Sequence, residues 1–162
     1  AMSDEQKDKI NSDNIKTFCI DEAFNIGNIE ILPFSIPHDA ANPCGFNLYN
    51  DNSKISVATD LGHITPYIFN KLEKSSFIML ESNYEPEVLK FSRYPYVLKK
   101  RIDGPNGHLS NILAGQTISK LIPLGLSSVM LGHLSKENNF PELAYRTVVE
   151  QLNKNNINVY CI

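Results

Sequence analysis

The chain has 162 residues, of which 42% are hydrophobic and 20% are charged, and its formal net charge at pH 7 is −3. This size and composition predict one globular domain with a real core, and they exclude a disordered chain and two ordinary domains. The acidic balance excludes strong non-specific attraction to nucleic acid over the whole surface, but it is compatible with a local basic patch.

Membrane and secretion signals are not found in the sequence. No apolar stretch approaches the roughly 20 residues of a spanning helix, and the amino end has no apolar signal segment. The cysteines are odd in number and have no C-x-x-C spacing; they are Cys19, Cys44 and Cys161. We therefore expect a cytoplasmic protein with reduced thiols and no cysteine metal cluster.

The first part of the chain is predicted to be extended. Residues 1–16 are polar and charge-rich and are predicted to be either a frayed helix or a mobile lead-in, so the domain itself is placed at 17–162. The predicted strands lie at 17–20, 28–34, 45–49 and 54–59. Pro33 is expected to stop the second of them. The turn residues at 50–53 predict a hairpin between the last two.

In the second part, strands and helices alternate. Strands are predicted at 77–80, 129–131 and 157–162. Helices are predicted to begin at Thr65-Pro66, at Glu85-Pro86, at Pro95, at Ser110 or Asn111, and at Asn138 or Asn139, with the last one ending at 155–156. Hairpin strands followed by strand–helix alternation predict an α/β fold, a mixed sheet with helices packed on it.

Imidazole and carboxylate side chains recur just beyond apolar or extended segments. Four stretches place them there: His38 with Asp39, Asp60, His108, and His133. Ligands gather at the carboxyl ends of strands in open α/β folds, so these side chains are well placed for chemistry. His38, Asp60 and His133 together suit zinc, manganese or iron. For any one histidine alone, a hydrogen-bonded core or loop role is the simpler interpretation.

His108 lies in a glycine-rich loop just before a predicted helix. With Ser110 and Asn111 it could hold a phosphate at the helix amino end, where N–H groups are unpaired. The alternative is that Ser110 simply caps the helix and His108 is a solvated loop residue. His63, close after Asp60, is expected to have a surface or supporting role.

A basic segment lies between Glu81 and His108. It contains Lys90, Arg93, Lys99, Lys100 and Arg101, interleaved with Tyr94 and Tyr96. It is either a solvated helix face or a contact to a phosphate backbone, with Lys99 and Arg101 as candidate phosphate-binding residues. Glu81, at the end of its strand, is expected to be buried and either to pair with a cation or to orient a metal-bound histidine.

Five stretches carry a resemblance to a known family. They are PFSIPHDAANPCGF, ISVATDLG, LESNYEPEVL, RYPYVLKKRIDGPNGHLSN and LGHLSKENNFPELA, in order from Pro33 to Ala144. In these the chain resembles the metallo-β-lactamase-fold hydrolases, specifically their YycJ/WalJ-like subfamily. The resemblance implies an αββα sandwich, two divalent metal ions (zinc or manganese), and 5′-to-3′ exonuclease activity on DNA.

The resemblance also implies roles for individual residues. His38 and His133 match metal ligands, and Asp60 matches the aspartate that bridges the two metals. His108 matches a histidine that contacts the scissile phosphate or assists the leaving group, so Asp60 and His108 are the catalytic candidates. Glu81 and Asp39 would support the ligands from behind, and residues 90–101 would contact the DNA strand.

The chain departs from the family pattern in one respect. The family's principal metal motif, HxHxDH, does not occur in these 162 residues. The chain therefore resembles the second half of the sandwich, and we expect an uncovered sheet face that is filled by a missing amino-terminal half or by self-association. Alone it is expected to be inactive, with at best a weak metal site. The alternatives are a non-catalytic binding or assembly module and a hydrolase of another ester or lactam.

Overall fold

The computed structural model describes residues 16–152 and 157–162, so most of the predicted lead-in and the predicted helix end at 155–156 lie outside it. Its strands are β1 Phe24–Ile26, β2 Ile29–Ser35, β3 Cys44–Asn50, β4 Ser53–Ala58, β5 Phe77–Glu81, β6 Ser128–Gly132 and β7 Asn158–Cys161. Its helices are α1 Pro66–Leu72, α2 Pro86–Phe91, α3 Tyr96–Ile102, α4 Asn111–Leu121 and α5 Pro141–Gln151, with a 3-10 turn at Ile122–Leu124. None of the described helices is long and apolar enough to cross a membrane.

The seven strands form one sheet in chain order. Strands β1 to β4 are antiparallel neighbours, and β5, β6 and β7 continue the sheet parallel to β4. The β3–β4 hairpin closes at the pair Asn50 and Ser53, with Asp51 at a positive φ of 49°. Parallel neighbours need long crossovers, and these carry the helices. The predicted mixed α/β fold is confirmed, and the carboxyl ends of β4, β5 and β6 lie side by side.

The main core lies between one face of the sheet and three helices. Ile78, Leu80 and Leu131 project from the sheet into it, together with side chains of α1, α4 and α5. Helices α2 and α3 instead surround a smaller cluster that includes Leu89 and Ile102. Most of the stability of the short helices must come from this burial, because isolated helices of this length are marginal in water.

The opposite face of the sheet is apolar and only partly covered. Strand register pairs Ile55 with Phe77 and places Met130 between Met79 and Tyr160. Ile55 is 41% exposed and Tyr160 is 49% exposed. A sheet face of this composition normally packs against another layer. An open apolar face is what the resemblance to half a sandwich predicts.

Several local predictions need correction. Residues 17–20 form no strand, and the three-residue β1 was too short to be recognised from its sequence. Strand β2 continues through Pro33. The carbonyl of Pro33 accepts from the amide of Asp21 at 2.9 Å, so the carbonyl and the nitrogen of this residue lie on the side of β2 that faces away from β3. The missing N–H therefore costs no hydrogen bond between β2 and β3. The predicted caps Thr65 and Ser110 are confirmed. Helix α5 is capped by Phe140 instead of an asparagine.

Candidate metal centre

Three adjacent strand ends bring Asp60, Glu81 and His133 to one edge of the sheet. Asp60 follows β4, Glu81 is the last residue of β5, and His133 follows β6 directly. Asp60 has φ of 59° and His133 has φ of 56°, a left-handed conformation that side-chain-bearing residues rarely adopt. Strain of this kind is concentrated at functional sites. The sequence predicted that both residues follow strands, and the structure shows that both adopt the left-handed backbone conformation there.

Close backbone contacts hold the surrounding loops together. The N–H of Gly62 donates to the carbonyl of Pro37 at 3.0 Å, which joins the loop after β4 to the loop that carries His38. A Cβ at Gly62 would overlap the backbone of Pro105, and one at Gly107 would overlap the carbonyls at the end of α3. Both positions require glycine because backbone already fills the space a side chain would need.

Glu81 is the organising group of the cluster. It is fully buried, and its Oε2 accepts hydrogen bonds from the amides of Leu61 at 2.8 Å and Leu109 at 3.2 Å. Its Oε1 accepts from Nδ1 of His108 at 2.8 Å and from Nδ1 of His133 at 2.6 Å. Burial alone would raise the pKa of Glu81, but the hydrogen bonds from both histidines and from Leu61 outweigh it and lower the pKa. The residue is therefore an ionised acceptor.

The rings of His38, His108 and His133 are each held by a contact at Nδ1. In His38 this atom contacts a backbone carbonyl at 3.1 Å, and in His108 and His133 it contacts the buried carboxylate. The Nε2 atoms are left on the opposite side of each ring, and those of His133 and His38 lie 3.4 Å and 3.8 Å from Oδ1 of Asp60. The centroid of the His108 ring is 5.1 Å from that of His38 and 5.2 Å from that of His133. Histidine ligands of metals are held in this way.

The donor set fits a divalent transition metal. Ligand atoms of Asp60, Glu81, His108 and His133 lie within 4.8 Å of one another. Both oxygens of Glu81 already accept hydrogen bonds, which suits a supporting role. His38 does not belong to this group of four, although its Nε2 lies 3.8 Å from Oδ1 of Asp60, so the ligand set of His38, Asp60 and His133 stays a prediction. Nitrogen and carboxylate donors together suit zinc or manganese. The hydrogen bond to Glu81 raises the pKa of His133, against the effect of its burial.

A salt bridge forms the rim of the cleft. Arg101 donates through Nε and Nη2 to the two carboxylate oxygens of Asp39, at 2.5 Å and 2.9 Å. This bidentate contact lowers the pKa of Asp39, whose Oδ1 lies 3.6 Å from Nε2 of His38. Arg101 also lines a cleft of about 280 Å³ together with His108 and His133. Asp39 and Arg101 therefore lie close to the cluster, as their predicted roles require.

The predicted phosphate role of Ser110 and Asn111 does not fit the structure. Ser110 is buried, and its hydroxyl accepts from the amide of Leu113 at 3.3 Å as the cap of α4. Asn111 is fully buried, and its amide group is hydrogen-bonded to Ser82 and Asn139. Both side chains are engaged inside the fold, so neither points to the cleft.

Lys99 is also engaged elsewhere. Its ammonium donates to the backbone carbonyls of Lys90 and Ser92, each at 2.7 Å, and so ties α3 to the end of α2. We therefore reassign it from phosphate binding to holding these two helices. His63 contacts the carbonyl of Pro105 at 2.9 Å through Nδ1 and is not part of the cluster, in agreement with its expected surface or supporting role.

Two supporting asparagines escaped sequence reasoning. Asn83 donates to the backbone carbonyl of His133 at 2.7 Å and helps to hold its left-handed turn. Asn139 donates to the carbonyls of Ser82 and Asn83, at 2.7 Å and 3.1 Å, from inside the fold. The sequence contains only weak indications of these supporting roles. Asn83 lies two residues after β5, which ends at Glu81, and Asn139 precedes Pro141 in a pattern that also predicts a helix cap.

This sheet order, with histidines and an aspartate at its carboxyl edge, is that of the metallo-β-lactamase fold. Among solved structures, the metallo-β-lactamase fold protein YhfI from Bacillus subtilis matches with a TM-score of 0.66 and 12% identity, over 90% of this chain and 51% of that one. A putative Zn-dependent hydrolase of the metallo-β-lactamase superfamily from Thermotoga maritima matches with a TM-score of 0.55 and 11% identity, over 91% and 72%. At such identities the likeness shows the fold alone.

Sequence comparison narrows the relationship. The chain is 31% identical over 142 residues to Exodeoxyribonuclease YycJ of Bacillus anthracis and 32% identical over 144 residues to Exodeoxyribonuclease WalJ of Streptococcus pneumoniae. The matches cover 88% and 89% of this chain but 54% of each relative, so the chain spans about half their length. No protein family model matches it. The resemblance to YycJ/WalJ-like hydrolases of the metallo-β-lactamase fold is confirmed.

Proposed function

We propose that this chain contributes metal-binding residues to a phosphodiester hydrolase that, in its complete form, degrades DNA in the 5′-to-3′ direction. One observation carries the proposal: three histidines, each held through Nδ1, surround Asp60 at the carboxyl edge of the sheet. The names of the YycJ and WalJ relatives support DNA as the substrate.

His38, Asp60 and His133 would hold zinc or manganese, as the metal ligands of this chain. Oδ1 of Asp60 lies within 4 Å of both imidazole Nε2 atoms, so the three side chains would be able to hold a metal ion together. When bound, such ions supply Lewis acidity toward phosphate oxygens and make water a better nucleophile at neutral pH. Glu81 keeps the proton of His133 on Nδ1, and the backbone carbonyl of Gly107 does the same for His38, so that both Nε2 atoms would remain available as ligands.

His108 and Arg101 are assigned to the phosphate. The Nδ1 atom of His108 is held by Glu81, and the His108 ring lies 5.1 Å and 5.2 Å from the rings of His38 and His133 between centroids. In its doubly protonated form, His108 would carry a second proton on Nε2 that it could donate to a phosphate oxygen or to a leaving oxygen. Arg101 lines the same cleft; because its Nε and Nη2 donate to Asp39, a phosphate would be met by its Nη1. Its pairing with Asp39 fixes its position at the rim.

The remaining parts of the site are assigned to the rest of a longer protein. The chain spans 54% of its relatives, and the HxHxDH pattern does not occur in it. We propose that this remainder, or else a second copy of the chain, covers the open sheet face, and that the remainder supplies the missing ligands. This chain alone would then be inactive or nearly so, because its three ligands come from separate loops.

Metal binding and cleavage together test the proposal. The complete protein is expected to degrade DNA only with added Mn²⁺ or Zn²⁺, and His133→Ala should abolish both metal binding and cleavage while the protein stays folded. His63→Ala is the matched control and should leave both unchanged. Metal-independent cleavage, or full activity of His133→Ala, would refute the metal-dependent mechanism assigned to these residues. Absence of cleavage by the complete protein with either metal would refute the enzyme assignment and favour a docking module. Cleavage by the 162-residue chain alone would refute its predicted inactivity.

A further inference from the structure

The segment between β5 and α4 forms a pocket that the metal-binding residues do not use. Helices α2 and α3 are packed on the small core around Tyr84 and are tied together by Lys99. The pocket between them measures about 620 Å³ and is lined by residues that include Tyr84, Leu89, Lys90, Tyr94, Tyr96 and Lys100. Its volume is within the range of about 300–1,000 Å³ that is typical of ligand sites.

Tyr94 connects this pocket to the candidate metal centre. It lines both the pocket and the cleft of about 280 Å³ that contains His108, His133 and Arg101. The two cavities therefore share the side chain of Tyr94, and a strand whose end lies at the histidines would have to pass Tyr94 to reach the pocket. The two cavities are neighbouring parts of one surface.

The pocket combines exposed aromatic rings with cations. Tyr96 is 72% exposed and Phe91, next to the pocket, is 78% exposed, although rings of this size are normally buried. The ammonium of Lys100 lies 5.6 Å from the centroid of Tyr96, and that of Lys90 lies 5.2 Å from the centroid of Phe91. Exposed ring faces beside cations are the features with which proteins bind single-stranded nucleic acid.

The charges that line the pocket favour an anionic ligand. Three lysines and two carboxylates line it, which gives a net charge of 3 − 2 = +1 on a chain whose net charge is −3. The carboxylates are already engaged: Asp103 accepts from the hydroxyl of Tyr84 at 2.6 Å, and Glu87 lies 3.6 Å from Lys90. Lys100 is left for a phosphate.

We propose that this pocket is a subsite for single-stranded DNA, in which a base stacks on Tyr96 and Lys100 contacts a neighbouring phosphate. The direction of the strand toward the metal centre rests on the proposed nuclease function, whereas the binding itself does not. The cores of protein interfaces are depleted of lysine, whereas aromatic rings beside cations are typical of single-strand binding, so DNA is the occupant that the chemistry favours.

Strand binding without cleavage tests the subsite. The complete protein, kept in a metal chelator, is titrated into a fluorescein-labelled oligothymidylate of about twelve nucleotides and followed by anisotropy. Tyr96→Ala is expected to raise the Kd about tenfold, while Tyr96→Phe keeps it. Lys100→Gln should reduce the slope of log K against log salt by about 0.7. Tyr145→Ala, which removes an exposed ring on α5, is the matched control and should have no effect.

The outcomes separate the two proposals. Unchanged binding by Tyr96→Ala, or equally tight binding of an abasic strand of the same length, overturns the subsite even if the protein proves to be a nuclease. Tyr96-dependent binding by a protein that cleaves no DNA supports the subsite and refutes the nuclease assignment. Circular dichroism of Tyr96→Ala should match the wild type, because the ring is mostly exposed.

Discussion

Glu81 is expected to control metal affinity from behind the ligands, and its substitution tests this directly. It accepts four hydrogen bonds in a fully buried position, two from backbone amides and two from imidazoles. In Glu81→Gln the remaining carbonyl oxygen can still accept from the amides of Leu61 and Leu109. The new NH₂ group then faces the two imidazole Nδ1 atoms, and these must become acceptors.

This change in protonation is the source of the predicted effect. An imidazole that accepts at Nδ1 carries its proton on Nε2, the atom that the metal needs. Loss of a supporting contact of this kind typically lowers metal affinity about 10- to 100-fold. The free energy of unfolding should fall by about 1–2 kcal/mol, since the amides stay paired. Glu81→Ala leaves two buried amides unpaired at about 1–3 kcal/mol each, so it should cost about 2–6 kcal/mol.

Two assays separate these effects. Urea unfolding of the metal-free chain measures stability, and a chelator-competition titration of the complete protein measures affinity for Mn²⁺ or Zn²⁺. Glu150→Gln, an exposed position on α5, is the matched control and should change neither quantity. If Glu81→Gln binds metal as tightly as the control, the histidines do not depend on Glu81 and the reasoning fails.

Three further predictions concern stability and metal. Asn139→Ala should cost about 2–4 kcal/mol in urea unfolding, because its buried amide bridges several elements, whereas the exposed Asn70→Ala should cost little. In the metal-free chain, the lowered pKa of Glu81 contributes to the free energy of unfolding above its ordinary value of 4.5, and this contribution is lost at more acid pH. The raised pKa of His133 contributes below its ordinary value of 6.5, and this contribution is lost at more alkaline pH. Their joint contribution should therefore be largest between these two values, and His133→Gln should remove the loss on the alkaline side. Metal at a hundredfold excess over Kd should stabilise the complete protein by about 2.7 kcal/mol in thermal unfolding, and His38→Ala should remove most of that gain.

The order and type of most elements could be predicted from the sequence, because they depend on neighbouring residues. Turn chemistry predicted the hairpin at Asp51, and a polar cap followed by proline predicted the helix after Thr65. The errors at β1 and Pro33 have a tertiary cause. A three-residue strand exists because β2 pairs with it, and a proline is tolerated at position 33 because its nitrogen lies on the side of β2 that faces away from β3.

The candidate ligands were also visible in the sequence, since His38, Asp60 and His133 each follow an extended or apolar segment. Their convergence was not, because it needs contacts between distant residues. Glu81 accepts from groups 20 to 52 positions away, and nothing near it in sequence indicates that it would hold two histidines at once. The common placement of the candidate ligands after extended or apolar segments predicted a shared site, and the family resemblance then assigned roles to the individual residues.

Other assignments depended entirely on the direction in which side chains point. Ser110, Asn111 and Lys99 had the right chemistry for phosphate, but the fold uses them for a helix cap, a buried amide network and a link between two helices. Residue type and local pattern determined which elements form and which groups are available. The packing of the sheet edge decided which of those groups face the cleft, because burial forces each inward polar atom to find a partner within the protein.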